Sequence, residues 1–262
     1  MALYDLIGNE YDTTRRADPA IVEMLVGFLK PAPEGCYVDF ACGTANYTSA
    51  LQRIAGHWSG IDVATKMLNE AHLKAPSLNF VQADISQLPY QSQCFHGGMC
   101  TLAMHHFDDI PKAVAEMYRV LLPSSPLVIF TAAPEQLRNY WLCDYFPEMM
   151  RKSWEHMPNL QYLNSALQGS GFQEIRVVPF DVTASLQDFF LYSGKYHPEM
   201  YLNAQVRNGI SSFRNFCGEQ ELSEGLASLQ RDIESGAIAQ RIQQSQRPDG
   251  DYCFVVASKP AG

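Results

Sequence analysis

The stretch YVDFACGTANYT, residues 37–48, reads as a buried strand that runs into a tight turn and then a helix. Turns of this kind hold nucleotide-like ligands and usually contain several glycines, because glycine enters left-handed backbone at no steric cost. Here only Gly43 remains, with Ala41 and Ala45 where further glycines are expected. The dinucleotide fingerprint G-x-G-x-x-G is absent, which disfavours a nicotinamide-dependent dehydrogenase. If Ala41 keeps extended dihedrals and turns its methyl away from the ligand, the replacement costs little.

Outward from this turn the chain alternates strand and helix. Upstream, Asp18 and Pro19 open a helix to about Lys30, with Ile21, Val22, Met24, Leu25, Phe28 and Leu29 at helical spacing. Downstream, HWSGID, LNFVQAD, FHGGMCTLAM and PLVIFTA read as strands, with helices between them after Ala64 and after Asp109. FQEIRVVPFDV and DYCFVVASK supply two more. This order predicts a Rossmann-like α/β fold: a seven-stranded, mostly parallel sheet with helices on both faces and helical lid insertions. The expected units are an N-terminal and core segment 1–133, a first helical insertion 134–157, a core helix and strand 158–182, a second insertion 183–249 and a last strand 250–262. Such insertions would lie over the carboxyl edge of the sheet, where open sheets bind ligands.

Bulk properties narrow the function. A chain of 262 residues with 47% hydrophobic content can bury a sizeable core. Its net charge of -9 disfavours nucleic acid as a partner, since phosphate contacts need a positive surface. The seven cysteines form no C-x-x-C pair, so neither a disulfide framework nor a metal site is expected. No apolar window spans a membrane and no signal core opens the chain, so the expectation is a cytoplasmic protein.

Three acids fall at three successive strand ends: Asp39, Asp62 and Asp84. In a parallel sheet these ends lie side by side, and acids there suit a ligand that offers hydroxyls, an amino group or a cation. Asp62 follows Asp39 by 23 positions, about the spacing at which an acid on the next strand reaches ribose hydroxyls.

The run Asp39-x-Ala41-x-Gly43-x-Ala45 resembles motif I of class I S-adenosylmethionine-dependent methyltransferases, (D/E)-x-G-x-G-x-G. Further matches follow in the family's order. GIDVATKMLNEA is similar to its G-x-D-x-S-x-x-M-L run, with Ala64 at the serine position, and VQADISQLPYQSQCFHGGMCTLAMHHF to its D-x-x-x-L-P-F…F-D…H-H-F run, with His96 at the aspartate. AEMYRVLLPSSPLVIF matches the helix and strand that come next. The likeness covers about Gly35 to Thr131 and is nearest to ubiquinone/menaquinone-type small-molecule methyltransferases.

The resemblance implies S-adenosylmethionine as cofactor and a small-molecule methyl acceptor, aromatic or lipophilic, with no metal. It implies that Asp39, Ala41, Gly43 and Thr44 border the methionine part, that Asp62 and Val63 meet the ribose, and that Met67, Asp84 and Ile85 meet the adenine. Thr101 and Ala103 would flank the methyl-donor end, and Tyr11 with Arg16 or its neighbour Arg15 would pair with the cofactor's carboxylate. A proton acceptor, if the chemistry needs one, is sought at His106 and His105, because histidine titrates near neutrality. Tyr140, Trp141 and Tyr145 in the first insertion, with Tyr192 and Tyr196 in the second, are candidates for an apolar acceptor wall. The alternative is a protein that binds S-adenosylmethionine without transferring its methyl group, in a regulatory or assembly role.

Overall fold

The computed structural model describes residues 14–245 and 249–262. Helix α1 (Pro19–Leu29) leads into β1 (Cys36–Phe40), α2 (Asn46–Gln52), β2 (His57–Asp62), α3 (Thr65–Lys74), β3 (Asn79–Gln82) and β4 (Gly97–Thr101). Then come α4 (Ile110–Val120), β5 (Pro126–Thr131), α5 (Pro134–Arg138), α6 (Pro147–His156), α7 (Leu160–Ser170) and β6 (Gln173–Phe180). Helices α8 (Ala204–Asn208), α9 (Ser211–Phe216), α10 (Glu219–Ser235) and α11 (Ile238–Gln244) precede β7 (Tyr252–Ser258).

The seven strands form one sheet in the order β3-β2-β1-β4-β5-β7-β6, parallel except that β7 runs antiparallel to both β5 and β6. From β1 the chain moves outward to β2 and β3, then returns to place β4 on the other side of β1. The strand order therefore reverses at the carboxyl ends of β1 and β4, which leaves a crevice there.

Side-chain alternation along each strand sorts the core onto two faces. Val38, Phe40, Cys100, Leu127, Ile129 and Val255 pack with α4 and α7, whereas Met99, Val128, Phe130, Phe254 and Val256 pack with α1. Caps read from the sequence are in place. The Asp18 carboxylate accepts the Ala20 and Ile21 N–H groups, Asp109 accepts from Lys112 N–H, and Gly171 ends α7 in left-handed backbone. His96 does a structural job, since its Nδ1 accepts the Cys36 N–H at the start of β1 at 3.0 Å.

The segment 134–157 holds α5 and α6, separated by a 3-10 turn at Trp141–Asp144, where the sequence suggested one irregular helical run. Its aromatics enter the α1-side core together with those of the segment between β6 and β7. The Tyr140 and Tyr192 rings stack with centroids 3.8 Å apart, and the Tyr140 and Tyr201 hydroxyls hydrogen-bond at 2.7 Å. Among the described residues no helix is long and apolar enough to cross a membrane.

Candidate active site

A cavity of about 400 Å³ opens at the crevice, lined by the residues that leave the carboxyl ends of β1, β2, β3 and β4. The turn after β1 contributes Ala41, Cys42, Gly43 and Thr44, followed by Asn46 and Tyr47 of α2. The end of β2 contributes Ile61, Asp62 and Val63; Ala83, Asp84 and Ile85 follow β3; Thr101, Leu102, Ala103, His106 and Phe107 follow β4.

All three small residues of the turn are left-handed, with φ of 62° at Ala41, 55° at Gly43 and 61° at Ala45. The extended backbone considered for Ala41 is thus not the one adopted, because the chain must turn sharply between β1 and α2. A left-handed alanine costs about 1–2 kcal/mol. Ala45 is fully buried, so its methyl returns about 0.8 kcal/mol through burial. Glycine there would relieve the strain but give up that methyl and add about 0.4–1 kcal/mol of unfolded-state entropy. Ala45→Gly should therefore stay within about 1 kcal/mol of the parent. Ala45→Val, branched at Cβ in the same backbone and overpacked, should lose about 3 kcal/mol, read by chemical denaturation.

Gly43 is where bare backbone matters. It lines the cavity, and a Cβ built on it would meet no atom of the other described residues within 4 Å, so a side chain there would project into the cavity. Its N–H donates to Asp62 Oδ2 at 2.8 Å, and Asp62 Oδ1 accepts the Ala64 N–H at 2.9 Å. These two bonds hold the Asp62 carboxylate at the cavity wall. The second also fixes the chain at the N-terminus of α3, which has no side-chain cap. Asp84 is exposed on the wall, and the Ser86 N–H and hydroxyl beside it hold its carboxyl below the usual range.

Asp39 is not on the wall. It lies 1% exposed beneath the turn, where Thr48 Oγ1 donates to its Oδ2 at 2.5 Å, while its Oδ1 has no hydrogen-bond partner among the described residues. Burial, reinforced by the charge of Asp62 and opposed by the Thr48 bond, pushes its carboxyl up to about 7.

The acids on the wall are Asp62, Asp84, Asp108, Asp109 and Asp188, against the cations Arg15 and Lys112. That balance suits a ligand carrying positive charge and hydroxyls and opposes the paired phosphates of a dinucleotide. The cavity size, the open Gly43 approach and the buried orphan oxygen of Asp39 all fit S-adenosylmethionine, which brings a sulfonium, an ammonium and ribose hydroxyls.

Other sequence expectations are relocated. Arg16 is exposed and absent from the wall, whereas its neighbour Arg15 lines it, because Arg15 is drawn inward by Asp188. Tyr11 lies outside the described residues. Tyr140, Trp141, Tyr145 and Tyr192 are 2–4% exposed in the core and do not reach the cavity, since their spacing serves packing between the two helical segments. Tyr145 donates to Asp232 at 2.6 Å, Trp141 Nε1 to the Lys195 carbonyl, and Tyr192 to the Gln136 carbonyl. Tyr196 is exposed, with its ring against the Lys195 ammonium. His106 lines the cavity and His105 does not; their rings lie 3.8 Å apart, with His156 6.5 Å beyond His106. Burial, and then the neighbouring His156 and Arg214, lower His106 to about 4. Asn46, Tyr47, Phe107 and Lys112 join the wall with no assignment from the sequence. Tyr47 was legible as a residue just past the turn, but Asp188 had no local signal.

Comparison with known proteins agrees with this geometry. A family model described as a methyltransferase domain matches residues 38–129, the segment that supplies all of the cavity wall except Arg15 and Asp188. A 2-phytyl-1,4-naphtoquinone methyltransferase of Thermosynechococcus vestitus is 25% identical over 181 residues, covering 60% of this chain and 80% of that protein. A protein assigned as a methyltransferase of an antibiotic biosynthesis pathway in Anabaena variabilis superimposes with a TM-score of 0.84 at 25% identity, covering 93% of this chain and 98% of that one. The geranyl diphosphate C-methyltransferase of Streptomyces coelicolor, solved with S-adenosyl-L-homocysteine, shares the fold at a TM-score of 0.57 and 12% identity, over 92% of this chain and 75% of that one. The chain is a class I S-adenosylmethionine-dependent methyltransferase of the small-molecule type. Within that class its core is similar to the quinone methyltransferases.

Proposed function

We propose that the protein methylates a small aromatic or lipophilic acceptor that enters the cavity past the end of β4. The observation that carries this reading is the wall there: Leu102, Ala103 and Phe107 give it an apolar surface, and His106 gives it one imidazole. The relatives fit: the Thermosynechococcus protein is named for a quinone and the Streptomyces protein for an isoprenyl diphosphate.

In this reading Asp62 takes the ribose hydroxyls, Asp84 and Ile85 border the adenine with Met67 behind them, and the Ala41–Thr44 turn with Asp39 beneath it serves the methionine part. Val63 covers the ribose edge, and Thr101 stands at the methyl-donor end. The cofactor supplies an electrophilic methyl on a sulfonium, transferred by in-line displacement. The chain's own contribution is alignment of the acceptor and exclusion of water, with the two helical insertions as the lid: Asp188 of the second lines the cavity and His156 of the first stands beyond His106. His106, held neutral across the physiological range, accepts the proton released when a hydroxyl or phenol is methylated. With a value near 4 it is a weak base, so its share of the acceleration lies at the low end of what such groups give. His105 supports the His106 ring from behind.

The test is formation of S-adenosylhomocysteine with a panel of quinols, phenols and isoprenoids, set against basic peptides and RNA. Turnover confined to aromatic and lipophilic acceptors is the expected result; turnover on a peptide or RNA alone contradicts it. With a working acceptor, His106→Gln should lower kcat by about 10²-fold with little change in KM.

A further inference from the structure

Asp188 lies in the segment between β6 and β7, far in sequence from the methyltransferase core, yet its carboxylate closes onto the cavity wall. Arg15 Nε donates to Asp188 Oδ1 at 2.5 Å and Arg15 Nη2 to Oδ2 at 3.3 Å, a two-point grip on one edge of the guanidinium. The Tyr47 hydroxyl donates to the same Oδ2 at 3.0 Å, which fixes the carboxylate plane from the α2 side. Asp188 is 1% exposed, so this grip is not a solvated surface pair.

The neighbours of Asp188 tie the same two segments together. The Phe189 N–H donates to the Thr14 carbonyl at 3.0 Å, and the Gln187 N–H donates to Asp18 Oδ2 at 2.9 Å. Gly209 presses on the same arm, since a Cβ there would stand 2.3 Å from Thr14 Oγ1, and its carbonyl accepts from Arg15 Nη1 at 3.5 Å. Residues 14–18 are thus strapped down by residues 187–189 and 209.

The consequence is electrostatic. Among the described wall residues only Arg15 and Lys112 are cationic. Lys112 stands by Asp84 and Asp109 at the opposite end from the turn. Arg15 stands beside Thr44, Asn46 and Tyr47, and the Asn46 side-chain amide donates to its carbonyl. The Lys74 ammonium donates to Thr44 Oγ1 at 3.3 Å and to Asn46 Oδ1 at 2.6 Å at this end but does not line the cavity, so a ligand with one carboxylate at the turn end meets Arg15 on the wall.

The geometry points to Asp188 as a positioning residue: it sets the Arg15 guanidinium to receive the carboxylate of the cofactor's amino-acid end, and so makes a distal insertion part of cofactor selection. This inference rests on the cofactor reading above and adds to it a residue outside the methyltransferase core.

The test compares two ligands by calorimetry on the full chain: S-adenosylhomocysteine, which has the carboxylate, and 5′-methylthioadenosine, which lacks the amino-acid end. Asp188→Ala should weaken S-adenosylhomocysteine by about tenfold or more, the scale of a lost charge-assisted bond, and leave methylthioadenosine within about twofold. The double variant with Arg15→Ala should bind no more weakly than Arg15→Ala alone, because Asp188 acts through that arginine. Asp188→Asn, which keeps the volume and one acceptor, should recover part of the loss and serves if the alanine variant does not fold. Equal losses for both ligands would mean a merely structural role, and unchanged affinity for S-adenosylhomocysteine would mean no role; either overturns the inference. If the parent protein binds neither ligand, the cofactor reading fails first. If it binds neither more tightly than the other, the carboxylate is unused and Asp188 positions nothing.

Discussion

Replacing Asp62 by alanine is expected to weaken S-adenosylhomocysteine binding by about 2–3 kcal/mol, a factor of thirty or more. One carboxylate does three jobs at this position. Its Oδ2 holds the Gly43 N–H at the apex of the left-handed turn, its Oδ1 holds the Ala64 N–H at the start of α3, and it lines the cavity where the proposed function puts the ribose. Alanine would remove the ligand contact and leave the Gly43 N–H without its acceptor, in a turn that already carries two strained alanines. Asp62→Asn keeps one acceptor and should fall between the two. An alanine variant that binds within about twofold of the parent would remove Asp62 from the account.

The second large effect has two opposed signs. Asp39→Asn should stabilise the protein without ligand at pH 8 by about 1–3 kcal/mol while weakening cofactor binding. The stabilisation follows from burial: with a carboxyl pushed up to about 7, folding at pH 8 must bury an already ionised group that has one partnered oxygen and one without a partner among the described residues. The sign follows from proton linkage. Asp39 titrates higher in the folded chain than its ordinary 3.8, so the native state holds the extra proton between about 4 and 7, and the stability this brings is lost as pH rises through 7. His106 acts the other way. Lowered from 6.5 to about 4, it contributes stability present above 6.5 that is lost as pH falls towards 4, and His105 shifts in the same direction. The two slopes oppose each other in the parent between about 4 and 6.5, so the Asn variant should lose stability more steeply on acidification. Denaturation midpoints at pH 5, 6.5 and 8 read both effects. Equal stability of parent and variant at pH 8 would contradict the buried-charge account.

A buried carboxylate that costs stability is kept where function uses it. In the proposed function that use is electrostatic: a negative charge under the turn would favour the cofactor's ammonium and sulfonium. The ligand should restore what the empty fold forgoes.

The sheet was legible because β5, β6 and β7 carry β-branched runs and β1, β2 and β3 are short apolar segments that end near Gly or Asp, with β4 the weakest of the seven, and because the caps at Asp18 and Asp109 act within three residues. Asp62 and Asp84 were legible for the same reason: a strand's end fixes where its last side chain stands. The dihedrals of Ala41 and Ala45 were not, since alanine favours ordinary helix or strand backbone and only the geometry between β1 and α2 forces it left-handed. The tyrosine and tryptophan spacing in 134–157 fits a pocket wall or a core equally well. The choice was made by Tyr192 and Tyr201, which approach from a distant segment and cover those rings. Arg15 and Arg16 differ in sequence by nothing a local rule can read; they are separated by Asp188, 173 residues further along the chain.

A turn with alanine at two of its three left-handed positions is expected still to hold the cofactor. Calorimetric titration of the parent protein with S-adenosylmethionine and S-adenosylhomocysteine, with NAD as the control, tests it most directly. Both sulfur ligands should bind at one site per chain, and NAD should not. Absence of binding by either sulfur ligand, or binding of NAD in their place, would contradict it.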